Sequence, residues 1–193
     1  MGKIYILMGK SASGKDTLYK KILEYKDLKL QTVVGYTTRP IRTGETEGVE
    51  YHFVDWDAFE AFQAAGKVIE SRIYHTVLGD WNYFTVADGQ IDLEHQDYLM
   101  LNTLEGYEKT CQYYGKDKVV PIYIEVEDGL RLSRALERER KQVEPKYAEL
   151  CRRYLADESD FSKEKLLAAG IEKKYQNKDL EECFYQIIND IQK

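Results

Sequence analysis

The sequence predicts an α/β fold in which a mostly parallel β-sheet carries helices on both faces. Short apolar runs typical of buried strands alternate along the chain with segments of helical period. The first run, residues 3–8, leads through a glycine-rich turn into a helix that begins near Lys15. Residues 36–85 instead combine short strands, glycine-marked turns and one helix. Because alternating strands and helices usually form parallel sheets, we expect a core of this type with one inserted lobe.

The core elements follow one another in a regular order. Buried strands are predicted at five places: 3–8, 30–34, 97–101, 119–126 and 171–175. Helices are predicted after the glycine-rich turn and at four further places: 57–65, 104–114, 128–140 and 180–191. In the helix predicted at 57–65, the pair Asp57 and Glu60 predicts an N-terminal cap, and Gly66 is predicted to end the helix. The last helix has a continuous apolar side, as expected for a helix that packs on the sheet.

Length, composition and charge exclude several classes of protein. The chain has 193 residues, 43% hydrophobic and 32% charged, which fits one globular domain spanning residues 1–193. A net charge of −6 argues against a general nucleic-acid-binding surface, because such surfaces carry an excess of Lys and Arg. There is no bilayer-length apolar run and no signal-peptide pattern. We therefore expect a cytoplasmic protein with neither membrane nor nucleic-acid partners.

The glycine-rich turn after the first strand has the spacing of a phosphate-binding loop. Its residues 9–15 read Gly-x-x-x-x-Gly-Lys, which lets the backbone curl so that N–H groups face phosphate oxygens. The positive end of the following helix adds to this attraction, and Lys15 is placed to reach the β- and γ-phosphates. The motif predicts a nucleoside triphosphate site with ATP as phosphoryl donor. The residues expected to bind ATP are Gly9, Ser11, Ala12, Ser13, Gly14, Lys15, Asp16 and Thr17.

The residue after the loop lysine is Asp16, where a hydroxyl usually contacts Mg²⁺, and Thr17 comes one place later. Magnesium accepts carboxylate oxygens readily, so Asp16 is a candidate ligand, direct or through water, with Thr17 beside it. The alternative is that Asp16 only favours the positive end of the helix. We expect Mg²⁺ as cofactor, with Asp16 and Thr17 as the residues that organise it.

A second constellation lies in residues 37–54, which place Arg39, Arg42 and Tyr51 within thirteen positions. An arginine guanidinium matches phosphate oxygens in shape, and a tyrosine hydroxyl adds a donor without charge. Beside a phosphate loop, these residues predict a clamp for a monophosphate. The alternative is that both arginines are solvated loop residues.

Together the two motifs resemble the guanylate kinase family, P-loop nucleoside monophosphate kinases in which the phosphate loop precedes a Thr-Thr-Arg-x-x-Arg-x-Gly-Glu-x-x-Gly-x-x-Tyr-x-Phe segment that binds the acceptor. The resemblance extends over nearly the whole chain. It implies a P-loop NTPase fold with a core of residues 1–35 and 86–193, an acceptor-binding lobe of residues 36–85 and a helical lid of about residues 137–157. It further implies transfer of the γ-phosphoryl group of ATP to a nucleoside monophosphate, GMP before others, in purine nucleotide metabolism.

The resemblance also assigns roles to individual residues. The implied acceptor-binding residues are Arg39, Arg42 and Tyr51 at the phosphate, Tyr83 also at the phosphate, and Glu70 and Thr85 at the base. A carboxylate such as Glu70 suits guanine, because this base offers two adjacent N–H donors that adenine lacks. Asn177 is implied to lie near the donor adenine. The implied catalytic residues are Lys15, Arg39, Arg138, Arg140 and one of Arg152 or Arg153, with Arg152 as our first choice.

Four positions depart from the family pattern. Gly35 stands where a serine often helps to read the base, and Phe84 replaces a turn glycine, so we expect relaxed base selectivity. Leu101 and Thr103 replace two aspartates of a family strand that organise Mg²⁺ waters and the acceptor. We expect weaker positioning of the metal, unless Asp16 supplies the missing charge.

These departures leave two alternatives to a kinase that acts on GMP. The kinase itself is expected to bind only small-molecule substrates and to be a monomer or a homodimer. Asp16 and the asparagine-containing strand end also resemble ribose 1,5-bisphosphate phosphokinases, which phosphorylate a sugar phosphate on the same fold. The second alternative is a non-catalytic guanylate-kinase-like module that binds a protein partner. The loss of the strand aspartates favours this module, whereas the intact Lys15 loop argues against it.

Overall fold

The structure, a computed structural model, describes residues 2–76 and 79–193, so Val77 and Leu78 of the predicted lobe lie outside the described residues. The strands in chain order are β1 (Ile4–Met8), β2 (Gln31–Thr32), β3 (Tyr36–Thr37), β4 (His52–Phe53), β5 (Val68–Thr76), β6 (Gly79–Val86), β7 (Tyr98–Leu101), β8 (Val119–Glu125) and β9 (Lys174–Gln176). The helices are α1 (Lys15–Glu24), α2 (Trp56–Ala64), α3 (Leu104–Tyr114), α4 (Asp128–Arg140), α5 (Tyr147–Asp160), α6 (Lys163–Ala168) and α7 (Leu180–Ile191).

Five strands form one parallel sheet in the order β2-β7-β1-β8-β9. The chain alternates strand and helix through this sheet, so the carboxyl ends of all five strands meet at one edge. The loop after β1, the segment after β7 and the residues after β9 leave the sheet at this edge. In parallel α/β sheets this edge is where ligands bind.

Two apolar layers cover the two faces of the parallel sheet, and β1 contributes to both by simple alternation. Ile4, Ile6 and Met8 pack with residues of α3 and α6 on one face. Tyr5 and Leu7 pack on the other face with α1 and α7. Since both faces are covered, the core strands read as continuous apolar runs rather than as alternating ones. The predicted α/β fold with a mostly parallel sheet and helices on both faces is confirmed.

A second sheet lies entirely within residues 36–86 and has the order β4-β3-β6-β5. Strands β5 and β6 form a long antiparallel hairpin, and β3 pairs with β6. Helix α2 packs on this sheet through Phe59, whose ring lies 4.9 Å from the ring of Phe84. The sequence assigned the N-cap of α2 to Asp57, but Asp55 is the cap, because its Oδ1 accepts a hydrogen bond of 2.9 Å from the Ala58 N–H group.

Other predicted elements differ from the structure mainly in length. The strand expected at 30–34 is confined to β2 on the edge of the sheet, and that expected at 171–175 begins only at Lys174. The apolar pattern predicted neither α5 nor α6, because most residues of α5 are polar or exposed and give a weak helical period; a helical lid of about residues 137–157 was implied only by the resemblance. No helix within residues 2–76 and 79–193 has the length and apolar character needed to span a membrane.

Candidate active site

A phosphate-binding loop follows β1 at the carboxyl edge of the parallel sheet. Gly14 lies in the left-handed region at φ +84° directly before α1, a conformation that favours glycine. Gly9 lies against β8, where an added Cβ would come within 2.6 Å of the Ile124 carbonyl oxygen. The Ser13 N–H group donates to the Lys10 carbonyl oxygen at 3.2 Å and closes the turn. The loop thus has the tight curvature that an anion-binding nest requires.

The start of α1 carries the side chains expected to handle phosphate and metal. This helix has no side-chain cap, so its first N–H groups remain available to an anion. The Lys15 side chain is partly buried, and its Nζ lies 3.8 Å from the Asp16 carboxylate. Asp16 and Thr17 are exposed. The lysine and two oxygen-bearing side chains therefore occupy one helix end, and carboxylate and hydroxyl oxygens are ligands of the hard type that suits Mg²⁺.

Asn177 braces the phosphate loop from the end of β9. Its Nδ2 donates to the Ser13 carbonyl oxygen at 2.8 Å, and its backbone N–H group donates to the Glu125 carbonyl oxygen at 2.9 Å. The Asn177 side chain is buried, and within the described part of the chain neither its Oδ1 nor the Ser13 hydroxyl has a hydrogen-bond partner. The residue proposed to lie near adenine thus holds the loop backbone, and two buried polar atoms beside the loop retain hydrogen-bonding capacity that a ligand can use.

A cluster of charged side chains joins the phosphate loop to α4 and α5. We call it the lid anchor, and its members are Lys10, Asp128, Arg131, Asp157 and Glu158. Arg131 is at its centre and only 1% exposed. Its guanidinium donates to Glu158 at 2.6 Å and to Asp157 at 3.3 Å, and it lies 4.1 Å from the ring centroid of Tyr154. The anchor therefore compensates a buried positive charge, which would otherwise be costly.

The anchor also contacts the loop directly. Asp157 Oδ2 accepts a hydrogen bond of 2.8 Å from the Ser11 N–H group. The Lys10 ammonium lies 2.7 Å from Glu158 and 3.5 Å from Asp128. Sequence reasoning missed this cluster, because Arg131 is one of four arginines in a helix that reads as solvated. The available signal was the i,i+3 spacing of Asp128 and Arg131 on α4.

Of the arginines that the sequence analysis assigned to a lid, some face the phosphate loop and others do not. Arg153 lies on the loop side, with a terminal nitrogen 3.5 Å from Ser11 Oγ. Arg138 lines a small cavity together with Ser11 and Arg153. Arg152 instead makes two hydrogen bonds, of 2.8 and 2.7 Å, to Glu149 on the exposed side of α5. Arg140 is exposed in the last turn of α4. Of the two candidates on α5, the geometry favours Arg153 over our first choice, Arg152.

Arg39 is the buried centre of the second constellation. Its side chain is 3% exposed and makes a two-pronged ion pair with Glu45, with N···O distances of 2.7 and 2.6 Å. Its guanidinium carbon lies 5.3 Å from the ring centroid of Tyr51 and 5.2 Å from that of Phe53. Glu45, and after it Tyr83, raise the pKa of the Arg39 guanidinium, while its Nε has no partner among the described residues. Arg39 is therefore a fixed cation in an aromatic setting and is not a solvated loop residue.

Glu45 organises this constellation, although sequence reasoning did not assign it to the site. Arg39 is the main cause that holds the pKa of the Glu45 carboxyl at about 2. Glu45 also accepts a hydrogen bond of 2.8 Å from the Arg42 N–H group. The exposed Arg42 side chain lies 5.9 Å from the ring of Trp81, and the rings of Tyr51 and Tyr83 lie 5.5 Å apart. The predicted residues Arg39, Arg42, Tyr51 and Tyr83 are thus neighbours.

Glu70 and Thr85 face each other across the β5–β6 hairpin at a β-bulge. The Thr85 hydroxyl donates to Glu70 Oε1 at 2.6 Å. Burial raises the pKa of the Glu70 carboxyl above its ordinary value, while the hydrogen bond from Thr85 acts in the opposite direction. A buried carboxylate with an internal donor is suited to accept further hydrogen bonds from a ligand in a fixed direction.

The positions that depart from the family pattern have structural explanations. Thr103 is the N-cap of α3 and accepts a hydrogen bond of 3.1 Å from the Gly106 N–H group, whereas Leu101 is partly exposed at the end of β7. Phe84 fills the core between the second sheet and α2 and is 2% exposed. Gly35 has room for a side chain, since an added Cβ would meet its nearest atom at 3.6 Å. Gly35 and Phe84 are the two changes near the expected base site. Because the Phe84 side chain packs in the core, only Gly35 leaves space that a hydrogen-bonding side chain could fill.

A salt bridge links the second sheet to α5. Arg72 on β5 lies 2.6 Å from Asp160 at the end of α5. On the same strand, the Ser71 carbonyl oxygen accepts a hydrogen bond of 3.2 Å from Lys109 on α3. The second sheet is thus connected by polar contacts to both α5 and α3.

Sequence comparison gives matches that each cover part of the chain. A family model described as guanylate kinase matches residues 1–82. A guanylate kinase of Legionella pneumophila strain Lens is 37% identical over 86 residues, which are 45% of this chain and 39% of that protein. A guanylate kinase of Mycoplasma pneumoniae is 32% identical over 126 residues, which are 64% of this chain and 50% of that protein. The chain thus spans half or less of the length of these curated relatives.

Comparison of folds extends the similarity along the chain. The crystal structure of guanylate kinase from Anaplasma phagocytophilum matches with a TM-score of 0.64 and 25% identity, covering 99% of this chain and 85% of that one. The matched family model includes the phosphate loop, Arg39, Arg42 and Tyr51, and the fold match covers the parallel sheet and helices α4 and α5. The chain is thus similar to guanylate kinases in the sequence of residues 1–82 and in fold over nearly its whole length.

Proposed function

We propose that this chain transfers the γ-phosphoryl group of ATP to a nucleoside monophosphate, with GMP as the acceptor. The observation that carries the proposal is the buried Arg39 held by Glu45 and flanked by Tyr51 and Tyr83, on a sheet that also presents Glu70 and Thr85. An anion-binding clamp and a fixed base-accepting carboxylate on one sheet are the two parts that recognition of a purine monophosphate needs. The similarity of residues 1–82 to guanylate kinases supports this assignment.

The donor side of the proposal rests on the phosphate loop. The uncapped start of α1, the left-handed Gly14 and the unpartnered Ser13 hydroxyl fit a triphosphate, because each offers hydrogen-bonding capacity toward an anion. Lys15 neutralises negative charge on the β- and γ-phosphates. On the lid side, Arg138 and Arg153 approach the same loop and are proposed to neutralise the transferring group, with Arg140 and Arg152 farther away.

Mg²⁺ is the cofactor that we propose, with Asp16 and Thr17 as the residues that hold it. When bound, the ion would supply positive charge that lowers the repulsion between the donor phosphates and an attacking acceptor. The chain's own residues position the two substrates, since transfer between phosphates requires no covalent intermediate on the protein.

The lobe of residues 36–85 and the lid of about residues 137–157 are proposed to close over the two substrates. Closure excludes water, and this limits wasteful hydrolysis of ATP. The contacts of Arg72 with Asp160 and of Asp157 with Ser11 support such a closed arrangement. The three cysteines are free thiols, which suits the cytoplasm as the compartment.

Thermal unfolding with each ligand tests the proposal in two independent parts. At ligand concentrations about 100 times Kd, Mg²⁺-ATP and GMP should each stabilise the wild-type protein by about 2.7 kcal/mol. Lys15→Ala should lose the effect of ATP and keep that of GMP, whereas Arg42→Ala should do the reverse. Stabilisation by ribose 1,5-bisphosphate and not by GMP would favour the sugar-phosphate alternative. Absence of stabilisation by any nucleotide would favour a binding module.

A further inference from the structure

Asn177 connects three elements at the carboxyl edge of the parallel sheet. Its backbone N–H group donates to the Glu125 carbonyl oxygen at the end of β8 at 2.9 Å, and its own carbonyl oxygen accepts a hydrogen bond of 3.2 Å from Arg134 on α4. Its side chain donates to the Ser13 carbonyl oxygen at 2.8 Å, in a residue that is only 2% exposed. Because both backbone groups are held, the amide has a fixed position against the phosphate loop.

The Ser13 contact fixes which end of the Asn177 amide faces the loop. A carbonyl oxygen only accepts hydrogen bonds, so the NH₂ group is the end that faces it. Ser13 is 1% exposed, and its carbonyl oxygen has no other hydrogen-bond partner in residues 2–76 and 79–193. Gly14 allows the close approach, because an added Cβ there would come within 2.4 Å of Asn177 Nδ2. Without Asn177, a buried carbonyl group would therefore lack its donor, which is costly.

The same contact sets the direction of the Gly14 N–H group. The Ser13–Gly14 peptide is trans, and in a planar trans peptide the C=O and N–H bonds point in opposite directions. Since the carbonyl is turned toward Asn177, the N–H group is turned away from it, and no acceptor for this N–H group lies in the described part of the chain. Gly14 directly precedes Lys15 and the uncapped start of α1. The Gly14 N–H group thus remains available to an anion bound there.

We propose that Asn177 is a positioning residue that directs the Gly14 N–H group at the phosphates of the donor, and that it acts on the triphosphate and not on the base. This inference rests on the proposed function and deepens it by naming the part of the donor that the residue serves. The role differs from the position near adenine that the resemblance implies for Asn177. Its Oδ1 has no partner among the described residues, so a hydrogen bond from the adenine amino group to Oδ1 is the competing assignment.

The affinities of Asn177→Ala for ATP and for inorganic triphosphate, both with Mg²⁺, separate the two assignments. Triphosphate is measured by its displacement of ATP, so that both values refer to the same site. A hydrogen bond to a carbonyl group corresponds to about 10-fold in affinity, so both ligands should bind more weakly by this factor. Loss of affinity for ATP alone would assign Asn177 to the base and overturn the proposal. Failure of triphosphate to displace ATP from the wild type would contradict it as well.

Asn177→Asp is the second variant, and it retains the shape of the side chain. In mildly alkaline buffer its ionised carboxylate has no proton to donate to the Ser13 carbonyl oxygen, so both ligands should bind at least as weakly as to Asn177→Ala. Wild-type affinity in this variant would show that no donor is needed and would refute the role. Asn189→Ala, on the exposed face of α7, is the control and should bind both ligands like the wild type.

The affinity for GMP distinguishes a role at the loop from general damage to the fold. It should remain that of the wild type in both Asn177 variants, and equal losses for ATP and GMP would contradict the proposal. If the wild type binds ATP but does not phosphorylate GMP, the proposed function fails, while the triphosphate affinities still decide the role of Asn177. If the wild type phosphorylates GMP and the Asn177 variants keep its affinities for ATP and triphosphate, only the role of Asn177 fails. If the wild type does not bind ATP, both fail.

Discussion

The Asp157 carboxylate of α5 accepts a hydrogen bond of 2.8 Å from the backbone N–H group of Ser11 in the phosphate loop. Helix α5 therefore contacts the phosphate loop through a main-chain group, and the same carboxylate lies 3.3 Å from the buried Arg131. This arrangement makes the position of α5 dependent on the conformation of the loop. It also places Arg153, one helical turn before Asp157, beside the Ser11 hydroxyl.

The first prediction concerns the stability of this contact. Asp157→Ala leaves the Ser11 N–H group without its acceptor and removes one partner of Arg131, so it should lower the free energy of unfolding by about 1–3 kcal/mol. Urea denaturation measures this loss. The control is Glu149→Ala, which breaks the exposed pair with Arg152 and should change stability by less than about 1 kcal/mol. Equal effects of the two substitutions would refute a buried anchor.

The second prediction distinguishes the two neighbouring arginines of α5. Arg153→Ala should reduce kcat by at least about 100-fold, because removing one preorganised donor to the reacting group typically costs this much. Arg152→Ala should remain close to the wild type, since Arg152 is paired with Glu149. Turnover measured at saturating ATP and GMP compares them. The reverse order of effects would mean that α5 is rotated when the substrates are bound.

The third prediction is a dependence of stability on pH that comes from Glu45. Arg39 lowers the pKa of Glu45 from its ordinary value of 4.5 to about 2, so the folded state favours the ionised form. The resulting stabilisation is complete above the ordinary value and is lost as pH falls from 4.5 toward 2. The melting temperature of Glu45→Gln should therefore lie below that of the wild type at neutral pH, and the difference should close in acid. A constant difference across this range would contradict the pairing.

The fourth prediction tests whether Asp16 compensates for the missing strand aspartates. Asp16→Ser should raise the Mg²⁺ concentration needed for half-maximal phosphoryl transfer, because a carboxylate ligand is lost near the phosphates. Asp27→Ser, in the short 3₁₀ turn Lys26–Leu28 after α1, is the control for loss of an exposed aspartate. If Asp16→Ser changed neither Mg²⁺ dependence nor turnover, Asp16 would serve only the helix terminus.

Much of the fold was predictable from local pattern, because the core strands are continuous apolar runs and helix α7 has a clear apolar side. Helix α4 was expected at 128–140 and spans Asp128–Arg140, and α7 was expected at 180–191 and spans Leu180–Ile191. Helix α5 could not be predicted from its own pattern, since it has no buried residue to set its period and is held by side-chain contacts with distant parts of the chain; only the resemblance implied helix in this region.

The site was predictable where residues are close in sequence and less so where the fold brings them together. Motif spacing identified Lys15, Arg39 and Tyr51. In contrast, the role of Arg131 depends on Asp157 and Glu158, which follow it by more than 20 residues. The ion pair of Arg72 with Asp160 likewise joins distant parts of the chain, and no sequence periodicity reports it.

The central claim is that the phosphate loop and the Arg39 constellation serve one transfer reaction. The most direct measurement is to follow the formation of ADP and GDP from Mg²⁺-ATP and GMP, for the wild type and for Lys15→Ala. The account predicts equimolar ADP and GDP from the wild type and loss of both products in Lys15→Ala. Production of ADP without GDP, or turnover of GMP that survives in Lys15→Ala, would contradict it.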